Sequence, residues 1–200
     1  MNQTITVPAG TVIVEGPAAP DQIGVLSMDG GLKSFRPPER QKQALMDVAG
    51  LPDGRLMIAR HGNLLVGYVA FHPPEPIERW GNPRTPGIME LGAVEVSPPW
   101  RGGGLARRLI QSAFEDGWLE DYIVLATEYY WHWDLKGTGL DVWQYRRVME
   151  KVMGSAGLLP QLTDEPDITS HPANMLVVRV GSRVGPELRE AFERMLFREE

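Results

Sequence analysis

The stretch 88–127 limits the possible folds more than any other part of the chain. An apolar, strand-like run, IMELGAVEV (88–96), leads through Pro98-Pro99 into the glycine loop RGGGLA (101–106). After it, Leu105, Leu109, Ile110, Ala113 and Phe114 recur at helical spacing. YIVLAT (122–127) is then a continuous apolar run, as expected of a parallel strand covered on both faces. Strand, helix and parallel strand make one right-handed βαβ unit. Further strands are expected at 11–15, 55–60, 64–71, about 157–162 and 174–180, with His61-Gly62-Asn63 as a hairpin loop. Helical patterns cover 38–49, 141–153 and 186–198. The expected class is α/β (α+β), a central mixed sheet of about seven strands flanked by helices.

At 200 residues the chain suits a single domain spanning 1–200. It has no cysteine, which excludes disulfides, thiolate zinc sites and a cysteine nucleophile. His61, His72, His132 and His171 show no ligand spacing, so no metal is expected. A net charge of −6 argues against a general nucleic-acid binder. No apolar run approaches the roughly 20 residues of a membrane helix, and MNQTITVPAG has neither the basic start nor the apolar run of a secretory signal. A cytoplasmic protein with no membrane partner is the expectation. Pro73, Pro74, Pro76, Pro83 and Pro86 make 73–87 a loop. No Gly-x-Ser-x-Gly elbow supports a serine hydrolase.

Glycines directly before a helix let backbone N–H groups wrap a ligand, and the helix N-terminus favours negative charge. Here the flanking residues are Arg101, Arg107 and Arg108, with no carboxylate until Glu115, so an external anion would relieve the like-charge misfit. There is no Gly-Lys-Ser/Thr for a P-loop, and Arg107 stands where a dinucleotide fingerprint needs glycine. On the loop alone, either an anion cradle or an ordinary glycine-rich turn is open.

Arg-x-x-Gly-x-Ala fits a third pattern. ELGAVEVSPPWRGGGLARRLI resembles the acetyl-CoA pyrophosphate loop of the GNAT N-acetyltransferase superfamily, which lies between that fold's fourth strand and third helix. More narrowly, SFRPPERQKQALMDVAGLPDGRLMIAR, ATEYYWHWDLKGTGLDVWQYRRVMEKVM and TDEPDITSHPANML are similar to the acetoin-utilisation (AcuA-like) acetyltransferase family of bacilli, over about 11 to 198. The resemblance implies a GNAT fold, acetyl-CoA as cosubstrate, and a protein lysine acetyltransferase that restrains AMP-forming acetyl-CoA synthetase. It also implies that backbone N–H groups of Val94, Glu95 and Val96 hold the pantetheine arm. Arg101, Gly102, Gly103, Gly104, Leu105 and Ala106 would then bind the pyrophosphate.

Acetyl transfer to an amine needs a base for the ammonium and a proton donor for the departing thiolate. Strand alternation places Glu90 with Gly92, Val94 and Val96, and Glu95 on the opposite face. Glu90 matches the family's general base, with Glu95 as fallback; a strand-end ion pair is the competing role for Glu90. Many family members carry the acid as a tyrosine before a Glu-Lys pair, but Met149 stands there in this chain. Tyr145, Tyr129 or Tyr130 could replace it, although aromatic core packing is the favoured role for each. The run Tyr129 to Asp134 either packs a core or frames the acceptor lysine's channel. The acidic stretch Asp164-Glu165-Pro166-Asp167 is either a solvated loop or an attraction for a basic segment. A small-amine N-acetyltransferase and a non-catalytic acetyl-CoA sensor that binds the synthetase are the two rival functions.

Overall fold

The computed structural model describes residues 2–82 and 84–198. Pro83 of the proline loop and the end residues of the expected 1–200 domain lie outside the described residues. The chain divides into two compact units, residues 1–72 with 91–116, and residues 73–90 with 117–200.

In the first unit, β1 (Asn2–Val7) and β2 (Gly10–Glu15) form an antiparallel pair, and β2 pairs in turn with β4 (Arg55–His61). The expected hairpin is β4 with β5 (Leu64–His72), turning through Gly62, whose φ of 57° suits a residue without a Cβ. The two-residue β3 (Ser27–Met28) runs parallel beside β5. β6 (Ile88–Val96) follows β5 in the sheet, and its last six residues belong to this unit.

Helices cover both sides of this sheet. α1 (Pro20–Gly24) and α2 (Pro38–Gly50) pack with Leu56, Ile58, Tyr68 and Ala70 around Leu45 and Ile23. α3 (Leu105–Phe114) covers the other face, where Phe71 meets Phe114 edge-on at 6.0 Å and the buried Arg55 binds Asp116 at 2.8 Å. Alternation along β4 accounts for this split: Leu56 and Ile58 point to α2, and Arg55 points to α3.

In the second unit, residues 88–90 of β6 pair in parallel with β7 (Ile123–Glu128), as the apolar run predicts. β7 pairs antiparallel with β9 (Met175–Val180), and β9 with β8 (Leu159–Gln161). α4 (Leu135–Thr138), α5 (Val142–Gly154), α6 (Pro166–Thr169) and α7 (Pro186–Leu196) complete it. Asp141 and Gln144 form a capping box at the start of α5, fixing where that helix begins. Trp80, Ile88, Ile123, Leu125, Leu176, Phe192 and Leu196 form the core.

Nine strands are present among the described residues rather than about seven. The additions are β1 and β3. β1, NQTITV, has only Ile5 and Val7 as apolar residues, and β3 is too short for any period. The loop TDEPDITSHPA also contains the single turn of α6. No helix among the described residues is long and apolar enough to cross a membrane.

Leu56 is fully buried and Leu162 is 79% exposed. Leu56→Ala is expected to lower unfolding free energy by about 2–5 kcal/mol in urea titrations, and Leu162→Ala by less than about 0.5 kcal/mol.

Candidate functional site

The glycine loop of the first unit has the backbone of an anion cradle. Gly102 and Gly104 adopt φ of 91° and 76°, and Gly104 is the N-cap residue of α3. A Cβ on Gly103 would fall 2.6 Å from a Val7 methyl, so only glycine fits there against β1. A Cβ on Gly104 would meet nothing within 4 Å, so that side of the loop is open. The first turn of α3 has no acidic residue and no side-chain cap. Its leading N–H groups therefore have no intrahelical acceptor and suit a pyrophosphate.

One part of the expected charge misfit needs correction. Arg108 donates to Glu115 at 2.5 Å and to Gln3, so its charge is already met within the fold. Arg101 donates from Nε to the Val96 carbonyl at 3.0 Å, which ties the loop to the end of β6. Arg107 is exposed. The cradle rests on backbone amides more than on three free arginines.

Asp29 holds the approach to the loop, and sequence reading missed it. Its carboxylate accepts from Ser97 Oγ at 2.6 Å, the Gly31 N–H at 2.9 Å and Trp100 Nε1 at 3.3 Å. Burial raises its pKa, but these three donors outweigh burial and hold it below the ordinary value. Glu95 is similarly built in: it accepts from the Ser34 N–H at 2.8 Å and from Tyr68 Oη at 2.7 Å. Burial, followed by the Glu95 charge, pushes the Tyr68 hydroxyl upward. Both Glu95 oxygens are thus engaged by the wall of the first unit. Val94 is half-buried and Val96 buried on the same strand.

The second unit gathers carboxyl groups. Glu90 is 9% exposed, and its pKa is pushed up to about 8, first by burial and then by the charge of Glu78, a hydrogen bond with Glu78 and the charge of Glu75. Glu75 and Glu78 lie in the proline loop and escaped sequence reading. Glu128, the last residue of β7, is pushed up to about 7 by burial, against a 2.9 Å bond from Trp133 Nε1. A carboxylate directly after the apolar run YIVLAT was a readable sign of this.

Tyr129 lies within electrostatic reach of Glu90. Burial raises its pKa, a bond with Thr127 opposes this, and the charges of Asp167, Glu165 and Glu90 add to the rise. Tyr145 on α5 instead stacks on Trp133, with centroids 5.2 Å apart. Tyr130 packs on His171 at 4.2 Å. The aromatic run is a connected surface: Tyr129 stacks on Trp131 at 4.7 Å, while Trp131 and Trp143 stay 51% and 46% exposed. No group of three or more metal-ligating side chains occurs among the described residues.

The Acetyltransferase (GNAT) family matches residues 27–130. Over 188 residues the chain is 47% identical to acetoin utilization protein AcuA of Bacillus subtilis (strain 168), covering 94% of this chain and 90% of that protein. The chain belongs to the GNAT acetyltransferase family. AcuA of Bacillus licheniformis is 46% identical over the same shares. The crystal structure of an acetoin utilization protein from Exiguobacterium sibiricum 255-15 aligns with a TM-score of 0.97 at 44% identity, covering 99% of this chain and 94% of that one. The GNAT domain of S. lividans PAT shares the fold, with a TM-score of 0.57 at 16% identity over 89% of this chain and 96% of that one. The expected GNAT fold and the acyltransferase class are thereby established for this chain.

Glu90 and Glu128 ionise later in the folded chain than in the unfolded one, whose carboxyls keep the ordinary 4.5. The folded state therefore binds more protons between those values, and its stability falls as pH rises through that window. Glu90→Gln removes one such group. Its melting temperature is expected to decline less than wild type between about pH 5 and pH 8, as read by calorimetry across pH.

Proposed function

We propose that the chain is an acetyl-CoA-dependent protein lysine N-acetyltransferase of the cytoplasm. Its substrate in this reading is an AMP-forming acetyl-CoA synthetase, which it down-regulates in acetoin and acetate metabolism, with residues 1–200 acting as one acetyltransferase domain. The relatives named for acetoin utilization support the setting. Exposed Trp131 and Trp143 favour a protein acceptor over a small amine, since open aromatic surface suits a macromolecular partner.

The observation that carries the chemistry is the buried Glu90. Moving a proton from a lysine ammonium to an ordinary carboxylate is uphill by about 8 kcal/mol, and to a group titrating near 8 by only about 3 kcal/mol. Glu90 is thus a base matched to an amine, either directly or through one water. Acetyl-CoA, when bound, supplies the acetyl group as an activated thioester. The open cradle at Gly102 to Ala106 fits its pyrophosphate, and Arg101 braces that loop from the Val96 carbonyl. Backbone N–H groups of Val94, Glu95 and Val96 hold the pantetheine arm and polarise the carbonyl. Tyr129 supplies the thiolate's proton; its raised pKa keeps it protonated at neutral pH. Tyr145 is the second candidate. With no cysteine to carry an acyl group, transfer is direct.

Glu90→Gln is expected to slow the chemical step by about 10²–10⁴-fold with little change in acetyl-CoA affinity, and the deficit should shrink at alkaline pH. Wild-type turnover in this variant under chemistry-limited conditions would remove Glu90 from the role. Coenzyme A at about 100 times its dissociation constant should stabilise the protein by about 2.7 kcal/mol in thermal shift, and Gly104→Glu should abolish the shift. Mass spectrometry of acetylated synthetase, set against turnover on a polyamine panel, tests the acceptor; acetylation confined to the polyamines would refute the protein substrate.

A further inference from the structure

In the reading above, acetyl-CoA meets the first unit at two places, the amides of 94–96 and the glycine loop. A ligand that bridges two contacts gains fully from both only when their spacing is set before it arrives. Residues 97–101 alone connect the two places along the chain, and one side chain from elsewhere in the first unit holds both ends of that short turn. Ser97 Oγ donates to Asp29 Oδ1 at 2.6 Å, and Trp100 Nε1 donates to Asp29 Oδ2 at 3.3 Å.

Asp29 is itself fixed. Its N–H donates to the Leu65 carbonyl of β5 at 2.9 Å, its carbonyl accepts from the Leu32 N–H at 3.0 Å, and its Oδ1 also accepts from the Gly31 N–H at 2.9 Å. A Cβ at Gly31 would collide with Ser97 Oγ and lie 2.7 Å from Pro98 Cδ, so residues 29–31 press directly on the turn and require glycine there. The Ser97 N–H donates to the Val66 carbonyl at 2.9 Å, so Asp29 and Ser97 are both referenced to the same strand, β5. Inside the turn, the Trp100 N–H donates to the Ser97 carbonyl at 2.9 Å. Ser97 is fully buried, and the buried Trp100 ring lies 5.1 Å from that of His61. All three partners of the Asp29 carboxylate are donors. An asparagine oxygen could still serve Ser97 and Gly31, but its amide would turn a donor toward the Trp100 N–H, so the arrangement calls for a carboxylate.

We propose that Asp29 is a positioning residue for the cosubstrate: through Ser97 and Trp100 it sets the spacing between the amides of 94–96 and the glycine loop, so that the pantetheine arm and the pyrophosphate of one molecule engage both. The inference rests on the reading of these two places as the acetyl-CoA site. In this role Asp29 acts on the turn and not on the ligand. The turn is ordered when the chain folds, so that ordering is not charged against binding. Loosening the turn therefore weakens a ligand that spans it and spares one that occupies the glycine loop alone.

The test measures binding of two probes without any acceptor: coenzyme A, which spans the turn, and adenosine diphosphate, which carries the pyrophosphate and no pantetheine arm. Titration calorimetry serves for coenzyme A and ligand-detected NMR for the weaker nucleotide, both well below each variant's melting temperature. Asp29→Asn is expected to raise the Kd of coenzyme A about tenfold while that of adenosine diphosphate changes by less than about twofold. Ser97→Ala and Trp100→Phe each delete one donor and should each weaken coenzyme A by about threefold. Adding Asp29→Asn to Trp100→Phe should then cost less than it does in wild type, because the bond it breaks is already gone. A purely structural role predicts lower melting temperatures with both Kd values unchanged, and that result would overturn the proposal. Equal weakening of the two probes would also overturn it, since the loop itself and not the spacing would then be damaged. If wild type binds neither probe, or Gly104→Glu binds both as tightly as wild type, the cosubstrate site has been misplaced and the proposal falls with it. If Gly104→Glu loses both while Asp29→Asn keeps wild-type affinity for coenzyme A, the site stands and the role of Asp29 alone is refuted.

Discussion

One strand, Ile88–Val96, has to satisfy two sets of partners along its length. Its first three residues pair with β7 inside the second unit, and its remainder belongs to the sheet of the first. Backbone donors and acceptors in a buried strand have to be met by neighbours, so its register is fixed on both counts. The chemistry assigned to the chain is spaced along the same strand. Glu90 lies in its first part, the amides of 94–96 end it, and Arg101 ties the glycine loop back to its last carbonyl. Asp29 then fastens Ser97 and Trp100, the residues through which the strand passes into the loop.

The fold was largely legible because its main elements announce themselves by period. The run YIVLAT, the hairpin around Gly62 and the amphipathic helix after the glycine loop all follow from spacing and turn chemistry. β1 stayed hidden because Ile5 and Val7 are its only apolar residues, too short a run to stand out, and β3 because two residues have no period. For the candidate site, the loop and Glu90 could be found from strand position and the family pattern. Asp29 could not, since it meets Ser97 across 68 positions of sequence. Glu78 was equally out of reach: its partner is set by a proline-rich loop with no periodicity. Arg108 shows the opposite error, a charge that looked unmet until folding brought Gln3 beside it and turned Glu115 toward it.

The carboxyl cluster also sets function against stability. Burying Glu90 and Glu128 costs the fold at neutral pH, where both would rather ionise in water. Asp29 is a contrasting case, buried in part but supplied with three donors that favour its charge. The chain thus treats its acids in two ways. Those that brace backbone are given donors, and the one proposed to move a proton is given other acids.

The contact between Gly103 and Val7 has a practical side. The tight bend of the glycine loop is moulded against the last residue of β1, whose partner strand is β2. Material joined ahead of β1, such as an affinity tag that pulls at that strand, therefore acts on the floor of the cradle proposed for the cosubstrate. Preparations differing only in such an extension should be compared by nucleotide affinity before their rates are compared.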